Sequence, residues 1–291
     1  MLLKIFDFLK SCYEDTPVNI LPDIKLQLFL IGVKSLMPYE DNIGCMFDVS
    51  RYEKEIELFK YYKNGHDYNL EYYYENKKAS EREDELLEFK IIPLIISNTQ
   101  WDVLVDEAIK NSLFYSVNSN NILNTIIIAS VISEFLGNEN YIDNLNELTK
   151  ERVINFSLKN FLINNNIALN KSSLIEFEKE RIKLLSKSEL ITEDLTTKFK
   201  SLNYIINETK EKLEIERETV LSSFASYIFK LRKGIINPEK LKIPHGTIPH
   251  IKIFVKNDVF NHPLLGRCKV LQRKENVVII RNKSGLIKVN I

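Results

Sequence analysis

The side chains best suited to chemistry lie in the C-terminal tail. From Ile251 to Ile291 there are nine basic residues (Lys252, Lys256, Arg267, Lys269, Arg273, Lys274, Arg281, Lys283 and Lys288) against Asp258 and Glu275. The whole chain is neutral, with 40 Lys and Arg against 40 Asp and Glu, so the tail's surplus of seven is balanced by an acidic remainder. Such a surplus on a small module favours phosphate, because each neutralised phosphate releases condensed counterions. The expected phosphate contacts are Lys256, Arg267, Lys269, Arg273, Lys274 and Arg281. Only Phe254 and Phe260 are available there for base stacking, which argues against sequence-specific or single-strand binding. Docking of the basic tail on the acidic remainder is the competing use of the charge.

Other reactive side chains point to structure rather than catalysis. His245, His250 and His262 crowd together, but spacings of five and twelve in a Pro-rich stretch match neither a helical His pair nor a zinc finger, so a linker is expected. Cys12, Cys45 and Cys268 are an odd number without a CxxC pair. That excludes a disulfide framework and a zinc site and leads us to expect a reducing, cytoplasmic setting. Cys268 sits between Arg267 and Lys269, where a half-buried strand position is expected. Tyr61, Tyr62, Tyr68, Tyr72, Tyr73 and Tyr74 cluster beside His66. They offer either an aromatic platform or a seam between helices, and packing is the favoured reading.

The elements that must position these residues follow from periodicity. With 291 residues, 44% of them hydrophobic, and only 8 Gly and 8 Pro, the chain is long and apolar enough for a large core, which excludes disordered and collagen-like classes. Residues 1–243 read as helices. Met1 to Lys10 is amphipathic, Leu26 to Met37 keeps one apolar face up to Pro38, and a helix through Ile56 to Lys63 is closed by Asn64-Gly65. Trp101, Leu104, Val105, Ala108 and Ile109 make another. The run Ile122 to Leu136 is apolar nearly all round, yet it includes Asn124, Ser130 and Glu134 and is shorter than a span of about 20 residues. It therefore predicts a central core helix and no membrane partner. Residues 138–232 read as more charged surface helices with loops at 164–170 and 186–193. The character changes at Asn237-Pro238. Residues 244–250 form the expected linker, and IKIFV, RCKVLQRK, NVVIIR and GLIKVN in 251–291 predict short strands closed into a small barrel.

Several segments carry a family resemblance. Gly32 to Glu40, with Pro38 and Glu40 at its end, resembles the opening motif of ADP-ribosylglycohydrolases, with Val33 where that family has an aspartate. Phe47-Asp48-Val49-Ser50 stands at the family's Thr-Asp-Asp-Thr, Phe89 to Leu94 at a strand-like entry, and Tyr115-Ser116 at a Thr-His pair. Glu216-Arg217-Glu218-Thr219, followed by a helix to Lys233 and Gly234, is similar to Asp-x-Asp-Thr. The resemblance covers roughly residues 25–243. It implies a two-magnesium cleft, but Val33 and the single acid at Asp48 remove at least two ligands. We therefore expect no metal site and no cofactor. The resemblance leaves Tyr39, Glu40, Asp48, Glu216, Glu218 and Thr219 as the ligand-binding set, with helix capping and solvated faces as the competing reading. Separately, Asp258-Val259 with His262-Pro263 and Gly266 resembles the start of SH3-like barrels.

The expected architecture is thus mainly α, an orthogonal multi-helix ADP-ribosylglycohydrolase-like domain plus a small C-terminal SH3-like β-barrel. The expected function is that of a non-catalytic relative acting as a binding or interaction protein with a nucleotide-like cleft. The alternatives are a nucleic-acid-associated protein that uses its basic tail, and a divergent single-metal hydrolase of ADP-ribose-like substrates.

Overall fold

A computed structural model describes residues 1–15, 21–39, 43–168, 170–207, 219–234, 251–262, 265–274, 276–282 and 285–290. The chain divides into two compact units, Met1–Ile236 and Asn237–Ile291. In chain order the helices of the first unit are α1 (Leu2–Cys12), α2 (Ile24–Lys34), α3 (Val49–Phe59), α4 (Tyr68–Asn76), α5 (Leu87–Ser97), α6 (Trp101–Tyr115), α7 (Ser119–Gly137), α8 (Leu145–Asn155), α9 (Leu158–Asn164), α10 (Lys171–Leu185), α11 (Glu193–Lys198), α12 (Lys200–Asn207) and α13 (Val220–Arg232). A small antiparallel hairpin, β1 (Leu36–Pro38) and β2 (Cys45–Phe47), separates α2 from α3. The second unit contains α14 (Ile251–Phe254) and the strands β3 (Val259–His262), β4 (Gly266–Lys274), β5 (Val277–Asn282) and β6 (Gly285–Asn290).

Helix α5 forms the axis of the first unit. Every residue from Leu87 to Ser97 is buried, and α2, α6, α7, α13 and β2 pack around it. A helix surrounded on all sides must find internal partners for each polar group it carries. Glu88 accepts from the backbone N–H groups of Lys200 (3.0 Å) and Ser201 (2.9 Å) and from Ser201 Oγ (2.7 Å), satisfying the start of α12. Pro93 excludes the hydrogen bond that the Phe89 carbonyl would normally accept, and the Tyr13 hydroxyl donates to that carbonyl at 3.2 Å instead. The adjoining α2 presents Gly32 to the Pro93 ring, where a Cβ would come within 2.9 Å. At the C-terminal end, Arg232 donates to the carbonyls of Ile96 and Asn98, placing a cation against the negative end of the helix dipole. Burial lowers the Arg232 pKa to about 10.

The remaining charge on α5, Lys90, is fully buried. Its ammonium lies 2.6 Å from Asp67 Oδ2, 2.7 and 2.9 Å from the Asp84 carboxylate oxygens, and 3.9 Å from the centre of the Tyr115 ring. Both acids also hold backbone in place: Asp67 caps α4 by accepting from Leu70 N at 3.1 Å, and Asp84 accepts from Leu86 N at 3.0 Å at the start of α5. The hydroxyls of Tyr115 and Tyr52 meet at 2.5 Å. One ammonium therefore ties α4, α5 and α6 together.

Several elements differ from the sequence expectation. The second helix ends at Lys34, because residues 36–38 pair with β2 rather than continue to Pro38, and the third ends at Phe59 rather than Lys63. Phe89 to Leu94 is helical, not strand-like, because Pro93 is accommodated by Tyr13. Helix α7 is long and apolar enough to cross a membrane by length and composition, but most of it is buried in the core of the first unit. In the second unit IKIFV opens as the helical turn α14. The strands pair in the order β3-β4-β5-β6, an antiparallel meander without β6-to-β3 closure among the described residues, so the expected barrel is an open sheet.

Replacing Lys90 with Met strands two buried carboxylates, so Lys90→Met is expected to lower stability by about 3–5 kcal/mol in urea unfolding, and adding Asp67→Asn with Asp84→Asn should recover much of the loss. Burial raises the Glu88 pKa above its ordinary 4.5. A carboxyl whose folded pKa is raised adds most stability below its unfolded value and loses that contribution as pH rises through the folded value. Melting temperatures should therefore fall more steeply above pH 4.5 in the parent than in Glu88→Gln.

Candidate functional site

Helix starts leave backbone N–H groups without partners, and short polar side chains are recruited to fill them. Asp48 does this for α3, accepting from Arg51 N at 3.0 Å. Thr219 does it for α13 in a reciprocal box: its hydroxyl accepts from Ser222 N at 3.2 Å while Ser222 Oγ accepts from Thr219 N at 3.2 Å. Tyr39 donates to Glu107 at 3.2 Å. That buried carboxylate also accepts from Phe47 N at 2.6 Å and pairs with Lys110 at 2.7 Å, and burial, with the Glu107 charge adding to it, raises the Tyr39 pKa. Each of the three polar side chains thus has a local structural task. Glu40, Glu216 and Glu218 lie outside the described residues.

The structure does not bring Asp48 and Thr219 together. Lys25 lies over Phe89, Gly32 abuts Pro93, Phe224 packs on Phe29 and Arg232 reaches Asn98, so α2, α5 and α13 run in the same sense. Asp48 N binds Ser35 O just past the end of α2, whereas Thr219 begins α13 at the other end, where Asp15 accepts from Leu221 N. No group of three or more His, Cys, Asp or Glu residues is arranged to hold a metal ion among the described residues. The tyrosine cluster divides: Tyr74 donates to Ile56 O and Tyr73 packs on Phe114, while Tyr68 is exposed beneath the Arg82 guanidinium. A surface depression lined by Asn144, Glu147, Leu148, Lys150, Glu151 and Ile154 belongs to α8 and the residue before it, and one helix face cannot enclose a ligand.

The second unit does gather chemistry on one face. Side chains alternate across a sheet, and the strand register places Phe260, Cys268, Val278, Ile280 and Val289 in the small core. The residues between them form the opposite face. One cross-strand row runs Val259, Lys269, Arg281, Leu286 through all four strands. Lys269 and Arg281 are direct partners, a separation of about 5 Å between Cβ atoms. Arg267 and Lys288 occupy the positions diagonal to Arg281, about 7–8 Å away. All four cations are exposed, and none has a carboxylate within ion-pair distance among the described residues.

Three of the six expected phosphate contacts fall elsewhere. The β4-β5 register shifts between Val270 and Gln272, which puts Arg273 opposite Val278. There Arg273 pairs with Asp258 at 2.6 Å and donates to Val255 O at 3.0 Å, an internal tie rather than a free cation. Lys256 is exposed beyond α14, and Lys274, opposite Val277, shares the face of Arg281 but stands further along the sheet, outside the cluster. Lys288, absent from the sequence-derived set, joins the cluster through the β5-β6 register; alternation within GLIKVN puts it on one face with Leu286 but does not say which cations lie across from that face. Cys268 is fully buried, and desolvation raises its pKa, so Arg267 and Lys269 do not activate it.

No protein-family model matches this chain, and comparison with curated proteins and with solved structures gave no match.

If Asp48 and Thr219 act only as separate caps, Asp48→Ala and Thr219→Ala should each lower stability by about 1 kcal/mol. The double variant should equal their combined effect within about 0.5 kcal/mol in chemical unfolding, whereas a shared site would make the two interact.

Proposed function

We propose that this protein is a binding protein whose working surface is the basic face of the C-terminal sheet, and that the ligand is a phosphate-bearing polymer. The observation that carries this reading is the direct cross-strand pairing of Lys269 with Arg281, with Arg267 and Lys288 on the diagonals. Like charges placed opposite one another on a sheet repel and destabilise it. A row that places them together, exposed and without carboxylates among the described residues, is accounted for by an external anion that relieves the repulsion. A chain of phosphates suits four clustered cations better than a single small anion does, because every contact adds its own counterion release.

In this reading the helical unit serves as a folded body whose polar side chains satisfy its own backbone. Asp48 and Thr219 support that assignment through the backbone N–H groups they accept from, and Tyr39 through its bond to Glu107, which itself accepts from Phe47 N.

The test is fluorescence anisotropy of labelled DNA with the full chain at low salt. Arg281→Thr should weaken binding by about tenfold or more and reduce the magnitude of the log–log salt slope by about 0.9, as expected for one lost phosphate contact. The same variant should not lower the stability of the fold, since it removes a repulsion and introduces a good strand former. Absence of binding at low salt, or an Arg281→Thr variant that binds as well as the parent, would sink the proposal.

A further inference from the structure

Resting on that reading, we infer that the basic sheet face takes the backbone of a nucleic-acid duplex, without reading its bases. Proteins that hold single strands combine cations with aromatic rings on which bases stack. Here the two aromatic residues of the second unit are turned the other way. Phe260 is buried in the small core opposite Cys268, and the Phe254 ring packs on it with centroids 5.9 Å apart. The exposed row consists of Val259, Lys269, Arg281 and Leu286, with no ring among them.

Without stacking, attraction comes from charge alone, and the polymer with the denser charge gains more. A duplex carries one negative charge per about 1.7 Å of its axis and releases more counterion per contact than a single strand does, with slopes of about −0.9 against about −0.7 per phosphate. Four cations, with Lys269 directly beside Arg281 and Arg267 and Lys288 on its opposite diagonals, spread along the face as successive phosphates spread along a backbone. The cations stand on the face of a four-stranded sheet, about 14 Å across at about 4.8 Å per strand spacing; that is broader than the two-stranded ribbon which a major groove of about 12 Å admits, so they meet the phosphates at the groove's rim rather than the base edges within it.

The experiment compares a blunt duplex with each of its separated strands, at equal length and across several base sequences, using the full chain and a salt series. The duplex is expected to bind more tightly than either strand. Its log–log slope should be about −3.6 for four contacts, with about −2.8 for a single strand, and changing the base sequence should leave affinity within about twofold. A single strand that binds as tightly as the duplex, or a preference for one sequence, overturns this inference while leaving phosphate-polymer binding in place. Failure of all the nucleic acids to bind at low salt removes the broader reading too. Tighter capture by phosphatidylserine vesicles than by duplex DNA would assign the face to a membrane surface and overturn the duplex inference. Arg267→Thr and Lys288→Thr should each reduce the magnitude of the duplex slope by about 0.9, whereas Lys256→Thr, off the face, should change it less.

Discussion

The fold depends on the requirement that a helix with no solvent-facing side satisfy its polar groups internally. Helix α5 carries a glutamate, a lysine and a proline among apolar neighbours, and none of the three can reach water. Each is answered by a different part of the chain: the start of α12 by Glu88, the caps at Asp67 and Asp84 by Lys90, and the carbonyl freed by Pro93 by Tyr13. Burying charges in this way adds little net stability compared with well-packed apolar residues, but removing one partner is severe. The ion cluster accordingly fixes which elements meet, while the apolar core supplies most of the driving force.

The same logic explains the hairpin between α2 and α3. Its second strand has few residues with which to pair, and Asn98, at the end of α5, completes it. The Asn98 side chain accepts from Cys45 N at 2.8 Å and donates to Cys45 O at 3.0 Å, as a neighbouring strand would. Gly44 is required beside it: φ is +133°, and a Cβ would lie 2.4 Å from Asn98 Oδ1. Arg232 then binds the Asn98 carbonyl, so the C-terminal end of α13 is joined to the same corner. Polar residues that invite a catalytic reading in a list of motifs are here engaged in holding chain ends and turns.

The second unit applies the opposite rule. Its core is small, six buried residues on one side of a four-stranded sheet, and the other side carries the exposed cations beside Val259 and Leu286. A bulge after Val270 changes which face the end of β4 presents, which withdraws Arg273 to Asp258 while Lys269 stays outward. One inserted residue thus separates a structural arginine from the exposed group.

Local pattern alone was enough to place most helices, the central position of α7, the loops after Asn164 and Leu185, and the concentration of positive charge in the tail, because amphipathic period, turn residues and net charge are properties of neighbouring residues. It could not show that Phe89 to Leu94 would stay helical through a proline, since the hydroxyl that makes this possible comes from Tyr13, 76 positions earlier. Nor could it sort the cations, because whether Lys269, Arg281 and Lys288 share a face depends on strand register, and whether Arg273 joins them depends on the bulge. Composition determined that a basic module exists. Only the pairing of distant strands decided which of its charges stand together, because repulsion and attraction act through space and not along the chain.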